Sequence, residues 1–470
     1  MKYISTRGNI QPIIAEEAIL TGLAPDGGLY IPTTFPQLIE TERLRELSYA
    51  SLCAEVLAPF FSRITKAELE EAARQAYARF SSVPPVRIEK RDSFHVLELF
   101  HGPTLAFKDV ALCLLPHLME LSKKHLGISN KSLLLTATSG DTGKAAMEGF
   151  AAMDGFEVIV FYPRGGVSPL QERQMLTQSS MNTTAIGIEG NFDDAQRGVK
   201  AMLASDAFHR RLKARGREAA SANSINLGRL LAQIVYYVYG AIHSTEMPLR
   251  FSVPTGNFGN VLAAYWAGKM GVAMEELLVA TNENDVLDVF FKTGHYDARR
   301  ELILSSTPSM DILLSSNLER LLFEEDEEAL KKAMTELERD RHFFWTMKHE
   351  GFSSGKVSEK NVREEIRKVW LEEGILLDPH TAVASALLRE RKKKGIIVAT
   401  ASPFKFPRVV LESLGERIGN DPFEELEILS ERTGLPVPAS LKVLADAPIT
   451  QNRVCMPDQM ERAIWEVLDV

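Results

Sequence analysis

Cysteine is scarce: Cys53, Cys113 and Cys455 are the only three in 470 residues. They are too few and too scattered for a disulfide framework or a thiolate metal site, so no metal is expected and a reducing compartment is implied. Long apolar runs are missing too. Nothing approaches the roughly 20 residues of a membrane span, and Met1-Lys2-Tyr3-Ile4-Ser5-Thr6-Arg7 has no apolar signal core, so a cytoplasmic protein that meets no membrane is expected. Positive charge is not in excess. The formal net charge is −9, which argues against a nucleic-acid-binding surface. The basic run Arg391-Lys392-Lys393-Lys394 closes a predicted helix, where cations complement the helix dipole. Two nucleotide signatures are absent as well. Gly143-Lys144 has Thr138 where the Walker spacing needs glycine and Ala145 where it needs a hydroxyl. Neither glycine-rich loop described below reads Gly-x-Gly-x-x-Gly.

What remains has the composition of a globular protein, 45% hydrophobic and 25% charged, with length for about three domain-sized units. The first 93 residues are turn-rich and helical. Asp26-Gly27-Gly28 is turn chemistry between apolar runs, a helix is predicted from Ala67 to Arg79, and Val83-Pro84-Pro85 ends the unit. From residue 94 strands and helices alternate. Phe94 to Leu99, Leu133 to Ala137, Glu157 to Phe161, Thr183 to Ile186, Leu249 to Val253, Leu277 to Ala280 and Gly395 to Ala399 read as strands, several of them apolar throughout. That pattern predicts an α/β fold of mainly parallel sheet covered by helices on both faces, with ligands bound beyond the carboxyl ends of the strands. The charged stretch from Phe323 to Arg341 reads as a solvated surface insertion.

Four loops leave those strand ends. His101-Gly102-Pro103-Thr104-Leu105-Ala106-Phe107-Lys108-Asp109 brings Lys108 to the start of a largely apolar helix. The positive end of the helix dipole and the loss of hydration both favour its neutral amine there, the nucleophile that condenses with an aldehyde. Gly256-Asn257-Phe258-Gly259-Asn260 opens a helix whose first N–H groups lack internal partners, which suits a phosphate monoester; a tight strand–helix turn is the alternative. Thr138-Ser139-Gly140-Asp141-Thr142-Gly143 is a second cradle, for a carboxylate or another phosphate. Asn223 to Arg229 opens a third helix, where Asn226 and Arg229 suit an anion, with ordinary helix capping as the alternative. Thr400, after the last buried strand, offers a neutral hydroxyl that suits a ring nitrogen that must stay unprotonated; by composition alone it is a plain strand end. A poised lysine and three anion cradles together suggest pyridoxal 5′-phosphate with an amino-acid substrate that carries a second anion.

The segment His101 to Asp109 closely resembles the cofactor-lysine motif of the threonine synthase family, fold-type II pyridoxal-phosphate enzymes. Ser5-Thr6-Arg7-Gly8 and Gly22 to Tyr30 resemble that family's N-terminal signature. The similarity continues through residues 138–143, 223–229, 256–260 and 400–407 in the family's order, with Ile13-Ile14 and Ser402 as departures. The resemblance implies two open twisted mainly parallel sheets, divided as an N-terminal unit 1–93, a large cofactor-binding unit 94–125 with 190–470, and a small unit 126–189. It implies that Lys108 is the imine lysine and acid–base group, that Gly256, Asn257, Phe258, Gly259 and Asn260 hold the cofactor phosphate, and that Thr400 faces the pyridine nitrogen. Ser139, Gly140, Asp141 and Thr142 would take the substrate carboxylate, and Asn226 and Arg229, with Lys144, the substrate phosphate. The implied reaction converts O-phospho-L-homoserine and water to L-threonine and phosphate, in a monomer or homodimer. The rival within the same cofactor class is a lyase that releases a 2-oxoacid and ammonia.

Overall fold

The computed structural model describes residues 1–8, 10–38, 41–245 and 249–469. Leu133, Leu134 and Leu135 are fully buried, as are Ile396, Ile397 and Val398. Runs that are apolar on both faces fit only inside a sheet covered on both sides, and two such sheets form. The larger runs in the order Phe352–Lys356, Glu276–Thr281, Arg250–Pro254, Ile396–Ala399, His95–Glu98, Arg87–Lys90. Its neighbours are parallel except for the final antiparallel pair, in which Arg87 faces Glu98. The smaller is parallel throughout, in the order Arg453–Cys455, Thr183–Ile188, Phe156–Pro163, Lys131–Ala137, Arg217–Ser221. This is the fold-type II architecture that the sequence motifs implied.

The largest core contains the helices Lys108–Leu126 and Leu227–His243, which pack on each other. Every residue from 227 to 238 is buried, as a helix apolar on all sides must be. Among the described residues no helix is long and apolar enough to cross a membrane.

The expected boundaries move in three places. Arg87–Lys90, assigned to an N-terminal unit ending at 93, is the edge strand of the large sheet. The small unit does not stop at 189, because Arg217–Ser221 pairs with Lys131–Ala137 and Arg453–Cys455 pairs with Thr183–Ile188. Such short polar strands carry no alternation of their own and are set by the neighbours that pair with them. Nor do the first residues form a separate cap, since Tyr3, Ile19, Leu57 and Tyr77 share one core with Leu112 and Leu231. Tyr77 Oη also donates to Val110 O at 3.0 Å, on the helix that Lys108 begins.

The charged stretch is likewise not a solvated insertion. It folds as the helices Leu318–Glu325 and Glu327–Asp340. Within the stretch Leu330, Ala333 and Met334 are buried in the largest core, and the Glu325 carboxylate accepts from Trp345 Nε1 at 2.5 Å.

Candidate active site

The turn before Lys108 is held by Asp109, whose carboxylate accepts from Thr104 N at 2.8 Å and from the Thr104 hydroxyl. A Cβ at Gly102 would lie 2.4 Å from Asp109 Cβ, so the carboxylate fits only against glycine. Leu105 takes the left-handed φ of 61°, which costs a leucine roughly 1 kcal/mol. Its neighbours offset that cost. Ala106 bridges Ala401, Phe107 N donates to Thr400 O at 2.8 Å, and Ser402 N donates to Leu105 O at 3.0 Å. This zip fastens the loop to the end of Ile396–Ala399 and brings Lys108 and Thr400 to one cavity of about 550 Å³.

The cavity lies beyond the carboxyl ends of strands from both sheets. From the large sheet, Arg250–Pro254 delivers residues 256–260. A Cβ at Gly256 would lie 2.7 Å from Ser309 O, so glycine permits that close approach. Phe258 takes φ 62° as the residue before the helix Gly259–Lys269. No acceptor among the described residues takes the backbone N–H groups of 256–260. Asn260 Oδ1 receives both Tyr236 Oη at 2.6 Å and Tyr237 Oη at 2.8 Å, while its buried Nδ2 has no partner.

From the small sheet, Lys131–Ala137 delivers residues 138–142. Thr138 Oγ1 shapes that loop by accepting from Gly140 N at 3.0 Å and Gly143 N at 2.9 Å. Ser139, Asp141 and Thr142 line the cavity. Gly140, at φ 137°, instead makes room for Gln171, whose amide a Cβ would meet at 2.4 Å.

Arg229 also reaches the cavity, 3% exposed, with no carboxylate partner among the described residues. Among them its guanidinium donates only to Ala222 O, at 3.0 Å, and its Nε has no partner. A guanidinium stripped of water without a counter-ion is a strong indication of an anion site. The unpartnered amides of 256–260 and the orphan Asn260 Nδ2 make a donor set that fits a phosphorylated, aldehyde-bearing cofactor beside Lys108, and the Arg229 cation is left for a second anion.

Besides Gly140, two expected ligands are not brought there. Asn226 is fully buried and fully used: its Nδ2 donates to Ile19 O at 2.9 Å and Ser221 O at 2.8 Å, and its Oδ1 accepts from Gly228 N at 2.9 Å. It caps the helix Leu227–His243, the alternative the sequence left open. Lys144 lies one turn into its helix and pairs with Glu148, Nζ to Oε2 3.1 Å, so its charge is spent away from the cavity.

Other residues line the site that motif reasoning did not single out. Ser309 accepts from Lys108 Nζ at 3.1 Å. Ser309 N donates to His380 Nε2 at 3.3 Å, while His380 Nδ1 lies 2.9 Å from Asp378 Oδ1, which makes His380 the Nδ1–H tautomer. Arg7, from the N-terminal signature, reaches the rim and pairs with Glu319 at 2.8 Å and Glu338 at 3.2 Å. The segment around Ser309 has no glycine pattern or strand end to announce it; only Arg7 carried a signal.

The charges around Lys108 decide its protonation. Its side chain is 11% exposed. Burial pulls the ammonium down to about 8; Asp141, 3.7 Å away, opposes this, and the cations Lys405 and Arg229 reinforce it. Burial alone would raise Asp141, but Lys405 and Lys108 hold it well below the usual carboxylate range.

A lysine poised between a phosphate cradle and a second anion loop, on two parallel sheets, defines a pyridoxal-phosphate-dependent enzyme, and residues 87–400 match the family model described as pyridoxal-phosphate dependent enzyme. Residues 2–77 match the model described as threonine synthase N terminus. Threonine synthase from Pseudomonas aeruginosa is 40% identical over 433 residues, spanning 87% of this chain and 90% of that one. Threonine synthase from Saccharomyces cerevisiae is 36% identical, spanning 88% and 89%. The crystal structure of pyridoxal-phosphate-bound threonine synthase from Brucella melitensis superposes with a TM-score of 0.89 at 36% identity, over 99% of each chain. The chain belongs to the threonine synthase family.

Proposed function

We propose that this chain converts O-phospho-L-homoserine and water to L-threonine and phosphate, the last step of threonine biosynthesis, with pyridoxal 5′-phosphate bound at Lys108. The observation that carries the reading is the placement of a neutral-prone amine between the free backbone donors of 256–260 and the hydroxyl-bearing loop 138–142, with one unpaired guanidinium beside them. The N–H groups of Gly256, Asn257, Phe258, Gly259 and Asn260 would hold the cofactor phosphate, and Thr400 would meet the ring nitrogen with a hydroxyl that imposes no proton. The cofactor, when bound, supplies the electron sink for carbanion chemistry.

The protein supplies the rest. Lys108 takes protons in turn from the substrate Cα and Cβ; the electron pair left at Cβ expels phosphate from Cγ, and protons return to Cγ and Cα as the hydroxyl of water adds at Cβ. Ser309 steadies the free amine while it does so. The hydroxyls of Ser139 and Thr142 with the loop's backbone donors orient the carboxylate, because Asp141 is committed to lysines. Arg229 takes the substrate phosphate. The three cysteines are buried and unpaired, which supports a cytoplasmic enzyme, acting as a monomer or homodimer.

Borohydride reduction of the loaded protein, followed by peptide mapping, is expected to place the cofactor on Lys108. Lys108→Ala is expected to abolish both that adduct and phosphate release. A label on another lysine, or a 2-oxoacid with ammonia as the product in place of threonine, sinks this assignment.

A further inference from the structure

Two lysines share one buried carboxylate beneath the cavity. Asp141 Oδ1 is 2.5 Å from Lys405 Nζ and accepts from Gln171 Nε2 at 2.8 Å. Its Oδ2 is left to Ser309 Oγ at 3.4 Å and Lys108 Nζ at 3.7 Å. Lys405 is more deeply buried than Lys108, its side chain 1% exposed against 11%. It also donates to Thr104 O at 2.8 Å, in the turn that precedes Lys108.

We propose that Lys405 is a positioning residue: by holding one oxygen of Asp141 in a short ion pair, it leaves Lys108 as the amine that gives up its proton. This deepens the proposed reaction and rests on Lys108 being the amine that meets the cofactor.

The physical case is one of competition. An ion pair strengthens steeply as it shortens in a dry site, so of two ammonium groups facing one carboxylate the nearer takes most of its charge and leaves little to hold the other. Every charged or titratable group facing Lys108 fits this division. Asp141 stands at the start of its helix, Lys405 at the end of the turn after Ile396–Ala399, and Arg229 on Leu227–His243. His380 reaches Lys108 through Ser309, whose N–H it accepts at Nε2. Lys405 also joins the lysine loop of the large sheet to the 138–142 loop of the small one. The charge that sets Lys108 therefore also ties the two loops together.

The test is the pH dependence of trace acetylation of Lys108 in the full chain stripped of cofactor, read by mass spectrometry of the peptide that contains it. Lys405→Gln removes a neighbouring cation and leaves Asp141 wholly to Lys108. The midpoint is expected to rise by about one pH unit, cutting labelling near neutral pH about tenfold. Asp141→Asn removes the group that holds the proton, and the midpoint is expected to fall by a similar amount. Opposite shifts support the proposal. A midpoint that does not move in either variant, or moves the same way in both, overturns it; a merely structural role would lower thermal stability and leave the midpoints alone. Asp141→Asn decides alone if Lys405→Gln does not fold. The cofactor is absent from this measurement, so a failed reaction assay leaves its outcome readable.

Discussion

Arg229 and Asn226 are neighbours in one motif, yet the structure gives them opposite duties. Asn226 spends every hydrogen-bonding atom on backbone that it organises, whereas Arg229 keeps an unpartnered Nε beside the cavity. Burial lowers the Arg229 guanidinium toward about 10, still charged at neutral pH. Replacing it by glutamine in Arg229→Gln is expected to reduce kcat/KM for phosphohomoserine by ~100-fold, the loss of a charge-assisted contact worth about 3 kcal/mol, without lowering the melting temperature. Asn226→Ala is expected to do the reverse. It removes a cap and strands two carbonyls at a cost of about 2 kcal/mol, with kcat/KM within a few-fold of wild type. Steady-state kinetics and thermal unfolding on the same two variants check this, and a swapped pattern refutes the assignment. From sequence both read as anion ligands, because an Asn that caps and an Asn that binds leave the same letter. Only the identity of their partners separates them.

Elements distant from the chemistry hold the catalytic helix in place. The helix Lys66–Tyr77 carries a capping box, in which Thr65 Oγ1 accepts from Glu68 N and the Glu68 carboxylate accepts from Thr65 N at 3.0 Å. The same carboxylate pairs with Lys124 at 3.0 Å and His125 at 2.9 Å, in the last turn of Lys108–Leu126. The Thr65 backbone donor, with Lys124 and His125 behind it, lowers Glu68 from 4.5 to about 2. A carboxylate lowered in the folded state contributes stability above its unfolded value, and that contribution is lost as pH falls through the folded one. Glu68→Gln is therefore expected to be less stable than wild type by about 1 kcal/mol above pH ~5, after allowance for solvent screening. The gap should close toward pH ~2, as urea unfolding across that range will show. A gap independent of pH rules the pairing out. The helix itself was legible in its alanine-rich stretch with acidic residues; its partner was not, since contacts between residues 68 and 124 depend on packing.

At the scale of the whole molecule, the last residues close the small sheet. Arg453–Cys455 covers its edge at Thr183–Ile188, and Met460, Ile464 and Trp465 join the core with Ile186 and Phe208. Removing residues 450–470 uncovers that edge and face. Three buried side chains at about 2 kcal/mol each imply a loss near 6 kcal/mol, comparable to the stability of a domain. The truncated chain is expected to aggregate or to melt well below the full chain, by light scattering and calorimetry. A truncated protein as stable as the whole would contradict this packing. No motif marks these residues, because a three-residue edge strand is defined by the strand it meets.

The sequence by itself determined the alternation of apolar strands and helices, the lysine at a helix start and the glycine loops at strand ends, because periodicity and backbone freedom are local properties. Tertiary structure alone decided that Lys405 shares Asp141 with Lys108 and that Ser309 touches the amine. Those pairings join segments or side-chain directions that a linear chain does not specify until two sheets come together and exclude water between them.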